Sequence, residues 1–345
     1  AQPSSAVVLA VIDEKSLDTE GRWPWSRAKI ARLVQLLDRD GAKVISFDVG
    51  FLEPDQNNQQ DCLGEVKRHL NSMGIENSAF DTFISESKEK KDNDFLLASA
   101  IRESTAAIVL GYFFHMKDDD RNYPISPEML QQQIDRIRGS KYPLVMYGGP
   151  EENIRFIEAY APEGNLDILS AATEAAGYYS VKTDLDGVVR WMPLIIKFGE
   201  EIYPPLSLVS VWQYLNKPQM IVEADKHGIE GIRIGETFIP TDEMGQLLIN
   251  YLGPPRTFPH ISISDILNDG LPKGTFKDKI VIVGATAMGT HDLRSIPLTP
   301  LFPGVEIHAT VIDNILTQNF LVKPSWTLIY DLLAIRVIVP NVLEC

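Results

Sequence analysis

Apolar, strand-like runs that alternate with helix-like runs constrain the fold of this chain more than any other feature. Residues 7–12 and 42–47 are mostly apolar, as in strands of a sheet that is buried on both faces. Between them, residues 26–38 carry apolar side chains at helical spacing, with Ser26 in position to cap the helix. Strand, helix and strand in this order predict a βαβ unit. We therefore expect an α/β fold, a mainly parallel sheet with flanking helices.

The alternation continues along the chain, but two polar stretches interrupt it. Residues 54–94 and 117–162 are rich in charged and turn-forming residues and are predicted to be long insertions. Residues 177–251 contain short strand-like segments, which predict a smaller, hairpin-rich antiparallel β section in the middle of the chain. The remaining predicted elements are helix 95–102, strand 106–114, a hairpin of strands 177–181 and 188–198, helix 206–215, strands 231–234, 237–239 and 247–251, helix 264–267, strand 279–283 and helix 306–317.

Residues 1–325 are predicted to form one domain, and residues 326–345 differ from it in composition. This terminal segment is strongly apolar, but Asp331, Arg336 and Pro340 interrupt it. A membrane-spanning helix needs about 20 mostly apolar residues. Two interpretations stay open, a stub of a transmembrane helix or a terminal amphipathic helix packed on the domain.

The net charge argues against polyanionic partners. The 345 residues include 32 Lys and Arg against 47 Asp and Glu, a formal net charge of −15. Nucleic-acid binding depends on basic side chains that neutralise phosphates, so DNA and RNA are not expected as partners. The two cysteines, Cys62 and Cys345, form neither a disulfide framework nor a CxxC metal motif.

The chain lacks the usual motifs of catalysis and of nucleotide binding. Residues 280–290 run from a strand into glycine, but Thr286 stands where a dinucleotide loop needs its second glycine, and Thr290 stands where a P-loop needs lysine. No Gly-x-Ser-x-Gly, His-Glu-x-x-His or kinase signature occurs in the sequence. We therefore expect no enzymatic activity from this chain by itself, and the sequence identifies no cofactor.

Two carboxylates, Asp13 and Asp48, directly follow the first two predicted strands. We expect these strands to be parallel neighbours, which places both side chains at the carboxyl edge of the sheet, where open α/β sheets bind ligands. Two close carboxylates bind a divalent cation or raise each other's pKa. The alternative is that each carboxylate caps the loop or helix that follows it.

The loop after the first strand supplies aromatic and cationic side chains at the same predicted edge. Guanidinium groups and aromatic faces together bind anionic or aromatic ligands. The alternative is that these side chains seal the loop onto the core and pair with the strand-end carboxylates. The predicted ligand-binding residues are Asp13, Arg22, Trp23, Trp25, Arg27, Asp48 and Asp292.

Candidate metal ligands follow the last predicted strand, at His291, Asp292, Glu306 and His308. Glu306 and His308 are two residues apart and diverge on a helix, so at most one of them points toward the loop pair. The predicted metal ligands are Asp13, Asp48, Asp292 and His308, with a divalent cation as the expected ion.

Several segments, in order along the chain, resemble one known family. They include a Gly-Arg-Trp-Pro-Trp block near the start and a Pro-Gly-Val-Glu-Ile-His-Ala block near the end. Over residues 6–326 the chain resembles the CHASE family, second type, the extracellular sensory domains associated with cyclases and histidine kinases. The segments that carry the resemblance are residues 11–16, 21–27, 41–48, 184–190, 279–284, 292 and 303–309.

The resemblance implies an extracytoplasmic sensory domain of a membrane-anchored bacterial signalling protein. Such a domain binds a small molecule or ion on the periplasmic or extracellular face of the membrane. It signals to a cytoplasmic adenylate or guanylate cyclase or to a kinase, and a homodimer through the membrane-proximal region is expected. Two alternatives remain, a metal-dependent hydrolase that uses the strand-end carboxylates and a purely structural dimerisation domain.

Overall fold

The computed structural model describes most of the chain outside the first insertion and the C-terminal segment. The predicted stub at 326–345, His291 and most of insertion 54–94 lie outside the described residues. The described residues are 2–55, 69–70, 72–73, 92–117, 125–148, 154–287 and 292–322.

The central sheet has six parallel strands, and a further strand pairs antiparallel with one of them. Because helices cover both faces of this sheet, every residue of the first two strands along the chain is buried. The predicted parallel sheet is thus confirmed. In spatial order the parallel strands are β14 (His260–Ser262), β1 (Val7–Ile12), β15 (Ile280–Ala285), β2 (Val44–Phe47), β3 (Ala107–Met116) and β6 (Ala175–Tyr178), and the antiparallel strand beside β3 is β5 (Ala159–Glu163).

Helices pack on both faces of the central sheet. The described helices are α1 (Glu14–Glu20), α2 (Arg27–Arg39), α3 (Asn93–Glu103), α4 (Pro127–Ile137), α5 (Asp167–Ser170), α6 (Leu206–Tyr214), α7 (Ile263–Leu267) and α8 (Gly304–Thr317), with a 3-10 turn at Arg138–Ser140. Successive strand residues point to opposite faces, so Leu9 and Ala10 of β1 belong to different cores. Helices α6 and α8 cover the Leu9 face, whereas α2, α3 and α7 cover the Ala10 face.

A smaller, second sheet forms the antiparallel β section that the sequence predicts. Its first strand along the middle of the chain, β10, is missing from the prediction. The sheet contains β12 (Thr237–Pro240), β11 (Gly228–Ile234) and β10 (Met220–Asp225) as antiparallel neighbours, with β4 (Val145–Tyr147) parallel to β10. Three separate antiparallel pairs are β7 (Trp191–Pro193) with β13 (Gln246–Leu248), β8 (Ile196–Phe198) with β9 (Glu201–Tyr203), and β16 (Leu293–Ile296) with β17 (Thr299–Pro303).

The predicted hairpin of strands 177–181 and 188–198 is wrong. Its turn exists, because the N–H of Asp184 donates to Val188 O at 2.9 Å, and Gly187 adopts a φ of 79°. The flanking segments, however, pair elsewhere: β6 lies parallel to β3, and β7 pairs with β13. The local turn chemistry is correct, but the tertiary pairing separates its two arms.

The expectation that β1 and β2 are neighbours is also wrong. Strand β15 lies between them and pairs with both in parallel. A strand from near the end of the chain thus enters the middle of the sheet, and Gly284 in β15 packs directly against α8. An added Cβ at Gly284 would lie 2.6 Å from Val305 Cγ2, so this close approach needs glycine.

Helix α8 runs from the carboxyl ends of the central strands to their amino ends. It starts near the carboxyl end of β15, and close to its other end Asp313 accepts a hydrogen bond from the Ser4 N–H at 2.6 Å, just before β1 begins. Its 14 residues correspond to a length of about 21 Å. Among the residues that the structure describes, no helix combines the length and the apolar character needed to cross a membrane.

Candidate functional site

A cavity of about 510 Å³, the edge cavity, opens at the carboxyl edge of the central sheet. Strands β2, β6 and β15 end there, and the loop after α1, the start of β16 and the first two turns of α8 complete its wall. Apolar side chains such as Leu17, Val49 and Val181 line the rest. The charged and aromatic lining residues are Arg22, Trp23, Asp48, Tyr179, Asp292, Arg294 and His308.

Asp48 and His308 form a buried pair inside the edge cavity. Asp48 Oδ1 lies 3.8 Å from His308 Nε2, and the two side chains are only 7% and 2% exposed. Burial raises the pKa of Asp48 well above its usual value, Asp292 acts in the same direction, and Arg294 opposes them. Burial lowers the pKa of His308 to about 4, against a smaller opposite effect of the Tyr179 backbone. Both groups are thus shifted toward their uncharged forms.

Asp292 lies over the first turn of α8. Its carbonyl accepts a hydrogen bond from the Gly304 N–H at 2.9 Å, and an added Cβ at Gly304 would overlap its carboxylate. Burial raises the pKa of Asp292 to about 6, although Arg294 and the Val305 N–H oppose this shift. Arg294 Nη2 lies 3.6 Å from Asp292 Oδ1. Asp292 therefore has an arginine within 3.6 Å, whereas no arginine or lysine of the described residues lies that close to the Asp48 carboxylate.

Five of the predicted site residues meet in the edge cavity: Arg22, Trp23, Asp48, Asp292 and His308. Tyr179 and Arg294 are missing from the prediction. Tyr179 directly follows β6, and a correct strand boundary would have placed it at this sheet edge. Arg294 sits on the short strand β16, and the sequence carried no signal for its position.

Asp13 is absent from the lining of the edge cavity. It caps α1, where its Oδ1 accepts hydrogen bonds from the Ser16 N–H at 2.9 Å and from the Ser16 and Ser262 hydroxyls at 2.7 Å. Burial raises the pKa of Asp13, but these hydrogen bonds outweigh burial and hold it below its usual value. Capping, the alternative role of this carboxylate, is the one that the structure shows.

Trp25 and Arg27 are also absent from the cavity lining and are buried at the start of α2. Trp25 Nε1 donates to Gly21 O at 2.7 Å, and its ring packs edge to face against Trp23. Arg27 Nε lies 3.5 Å from Asp94 Oδ1, with both side chains under 10% exposed. For these two residues the sealing role, and not the ligand-binding role, agrees with their positions.

Glu306 is fully buried but serves a neighbouring loop instead of the cavity. Its two carboxylate oxygens accept hydrogen bonds from the N–H groups of Arg256 and Phe258, at 3.0 and 3.3 Å. Arg256 has a positive φ of 70°, so the carboxylate holds an unfavourable backbone conformation in place. As expected from helical geometry, Glu306 and His308 face different surroundings.

Replacing Glu306 by Gln is expected to lower the free energy of unfolding by about 1–3 kcal/mol, because the amide NH2 would meet a backbone donor. Chemical denaturation of both proteins measures this loss. Glu223→Gln is the matched control, since its ion pair with Arg233 is partly exposed and worth about 1 kcal/mol or less. Equal losses in the two variants would contradict the assigned role of Glu306.

Two further observations bear on the choice of site. In the described ranges no group of three or more His, Cys, Asp or Glu side chains is arranged to hold a metal ion. A larger depression of about 890 Å³ lies beside α4 and α5, but its buried polar side chains are used structurally. Asn165 there bonds the Phe51 and Gly111 backbone, and Ser140 bonds Tyr112. The edge cavity is therefore the better candidate.

Comparison with known proteins places the chain in a family. The sequence model of the CHASE2 domain matches residues 1–339. No curated protein and no solved structure showed a significant match to the chain. CHASE2 is a family of sensory extracellular domains found in signalling proteins, and its match extends over the central sheet, the second sheet and every wall of the edge cavity. The chain belongs to the CHASE2 family.

Proposed function

We propose that this chain is the extracytoplasmic sensory domain of a membrane-bound bacterial signalling protein and that the edge cavity binds its ligand. The ligand signal would pass to a cytoplasmic cyclase or kinase, with the domain working as a homodimer through its membrane-proximal region. The sensory and extracellular character of the family supports this assignment. A divalent cation remains among the ligands to be tested.

The edge cavity is the observation that supports ligand binding most strongly. Its volume of about 510 Å³ falls in the usual range of small-molecule sites. His308 Nδ1 is buried and makes no hydrogen bond of normal geometry in the described part of the chain, although the Tyr179 backbone is close enough to oppose the shift of the His308 pKa. Asp48 is also buried, and burial shifts its pKa strongly. Buried polar groups without partners are rare in folded proteins and are concentrated at functional sites.

Helix α8 offers a direct route for the signal. Gly304 and His308, in its first two turns, line the edge cavity, whereas Asp313 near its other end holds the backbone of Ser4. A ligand that moves or stiffens the first turn of α8 therefore acts on the segment just before β1. Such a response requires that the ligand bind two conformations of the domain with different affinities.

A thermal-shift screen tests the proposal. The purified chain is heated with separate additions of divalent cations, organic acids, amino acids and nucleotides. A ligand that binds only the folded state raises its stability by about 2.7 kcal/mol at a concentration 100 times its dissociation constant. A clear upward shift of the melting temperature is expected with at least one ligand of the screen.

Arg22→Gln is the variant that locates the binding site. Arg22 is exposed at the cavity, so its replacement should remove ligand contacts without harming the core. Arg102→Gln, on an exposed position of α3, is the matched control. A ligand shift that Arg22→Gln weakens and Arg102→Gln leaves unchanged supports the proposal. No shift with any ligand would contradict it and favour a dimerisation or protein-partner role.

A further inference from the structure

The edge cavity contains an acidic side chain, Asp48, and a basic side chain, Arg22, neither of which has a fully charged partner at close range among the described residues. The Asp48 carboxylate accepts no hydrogen bond from the described residues, and its ion-pair contact there is the 3.8 Å approach of His308, whose own pKa is lowered by burial. Arg22 makes no ion pair or hydrogen bond within the described ranges. Asp292 and Arg294, by contrast, lie 3.6 Å apart and partly neutralise each other.

Asp48 and Arg22 differ in how deeply their side chains are buried. Asp48 lies inside the cavity with 7% of its side chain exposed, whereas Arg22 is an exposed residue. The cavity thus offers a buried site for positive charge and a more accessible site for negative charge. A buried carboxylate gains most from an ionic partner, because burial removes the water that would otherwise stabilise its charge.

We propose that the ligand of the edge cavity is a small amino acid, with its ammonium group against Asp48 and its carboxylate against Arg22. This inference rests on the proposed function and adds the chemical class of the ligand. A zwitterion of this class supplies both an ammonium group for Asp48 and a carboxylate for Arg22. An anion alone would leave Asp48 unpaired, and an amine alone would leave Arg22 unpaired.

The remaining lining of the cavity suits an aliphatic or aromatic side chain. Leu17, Val49, Val181 and Ala285 supply apolar surface, and Trp23 supplies an aromatic ring. Burial of such a side chain contributes about 25 cal/mol for each Å² of apolar surface removed from water. We therefore expect the site to prefer apolar amino acids over acidic ones, which would add a further negative charge.

Matched ligand sets test the inference by isothermal titration calorimetry on the whole chain. L-Alanine is compared with propionate, which lacks the ammonium group, and with ethylamine, which lacks the carboxylate. L-Leucine is compared with 4-methylpentanoate and 3-methylbutylamine in the same way. The amino acids are expected to bind about tenfold or more tightly than either partner of the same set, because each partner loses one charged contact.

Variants and buffers provide a second readout. Asp48→Asn and Arg22→Gln are each expected to weaken amino-acid binding about tenfold or more, whereas Arg102→Gln leaves it unchanged. Since burial holds the pKa of Asp48 well above its usual value, pairing with an ammonium group should release protons. The apparent binding enthalpy should then depend on the ionisation enthalpy of the buffer, and Asp48→Asn should reduce this dependence.

The outcomes separate this inference from the proposed function. Binding of a divalent cation, a nucleotide or a simple carboxylate at the edge cavity, without binding of amino acids, overturns the inference and leaves the proposed function standing. Amino-acid binding that Asp48→Asn does not weaken places the site elsewhere and also overturns it. If no ligand of any class binds, both proposals fail.

Discussion

Replacing Arg27 by Met should lower the free energy of unfolding by about 3–5 kcal/mol, because it removes the cation beside the buried carboxylate of Asp94. Arg27 Nε lies 3.5 Å from Asp94 Oδ1. The backbone N–H of Arg27 donates to Asp55 Oδ2 at 2.6 Å, and this hydrogen bond is kept when the side chain is replaced. Burial lowers the pKa of Arg27, and the opposing effects of Asp94 and then Asp55 only partly offset this shift. The three side chains are each less than a tenth exposed, so water cannot take the place of the guanidinium.

The contacts among Arg27, Asp55 and Asp94 lie at the two ends of the first insertion. Asp55 and Asp94 flank residues 56–93 in sequence, and the Asp55 N–H donates to Asp94 Oδ2 at 3.0 Å. Arg27 further donates to Glu53 O and stacks over Phe51, with its Cζ 4.8 Å from the ring centroid. The sequence analysis predicted that Arg27 binds a ligand. In the structure Arg27 instead contacts residues at both ends of this insertion.

Urea denaturation of the wild type and the variant measures the effect of Arg27→Met. Arg39→Met is the control, since Arg39 pairs with Asp269 at 2.9 Å but both side chains are more than 60% exposed, and such pairs contribute about 1 kcal/mol or less. The double variant Arg27→Met with Asp94→Leu should recover part of the loss. A loss as small as that of Arg39→Met would refute the assigned role.

Asp48→Asn is expected to stabilise the ligand-free protein by about 1–3 kcal/mol near pH 8, because it removes a carboxyl group that resists ionisation when buried. The same substitution weakens ligand binding in our proposal. Gain of stability with loss of binding distinguishes a functional group from a structural one. A core residue that only supports the fold would lose stability when it is replaced.

The sign of the pH dependence follows from the direction of each pKa shift. The folded-state pKa of Asp48 is raised, so the folded protein binds more protons than the unfolded chain, and this contribution to stability falls as pH rises above about 4. Asp292, with a pKa raised to about 6, acts in the same direction between its unfolded value of 3.8 and about 6. His308, lowered from 6.5 to about 4, acts in the opposite direction over that window.

Unfolding curves at about pH 3, 6 and 8 test this expectation. The difference in free energy of unfolding between Asp48→Asn and wild type should be near zero at the lowest pH and should increase, in favour of the variant, as pH rises. Asp38→Asn is a control of opposite sign. Burial raises the pKa of Asp38, but hydrogen bonds from Ser104, Thr105 and Ala106 hold it below 3.8. Asp38→Asn should therefore become less stable than wild type as pH rises. If the difference in free energy of unfolding between Asp48→Asn and wild type does not change with pH, the raised pKa of Asp48 is contradicted.

Local patterns predicted most of the regular elements. Strand β1 was predicted with the correct bounds, and the helical spacing of 26–38 corresponds to α2 at Arg27–Arg39. Helix α8 was predicted to begin at 306 and begins at Gly304. These elements follow from the period of apolar residues, which depends on the nearest few residues along the chain. Helix α1 escaped prediction because its seven residues include few apolar ones.

The pairing of strands did not follow from the same patterns. Strand β15 was predicted as a strand, but its place between β1 and β2 depends on contacts across more than 200 residues, for which the local sequence has no signal. Strand β15 therefore separates the carboxyl end of β1 from the carboxyl end of β2. Asp13 caps α1, whereas Asp48 lies with Asp292 and His308 in the edge cavity.

The sequence by itself determined the α/β class, the family and a set of residues that includes five of the seven charged and aromatic residues lining the edge cavity. Apolar periodicity and short motifs are local properties, and they remain readable without coordinates. Only the tertiary structure decided which strand-end carboxylate is a cap and which one is buried at a cavity. That choice depends on strand order and on the burial of each side chain, and burial is the main cause of the raised pKa of Asp48.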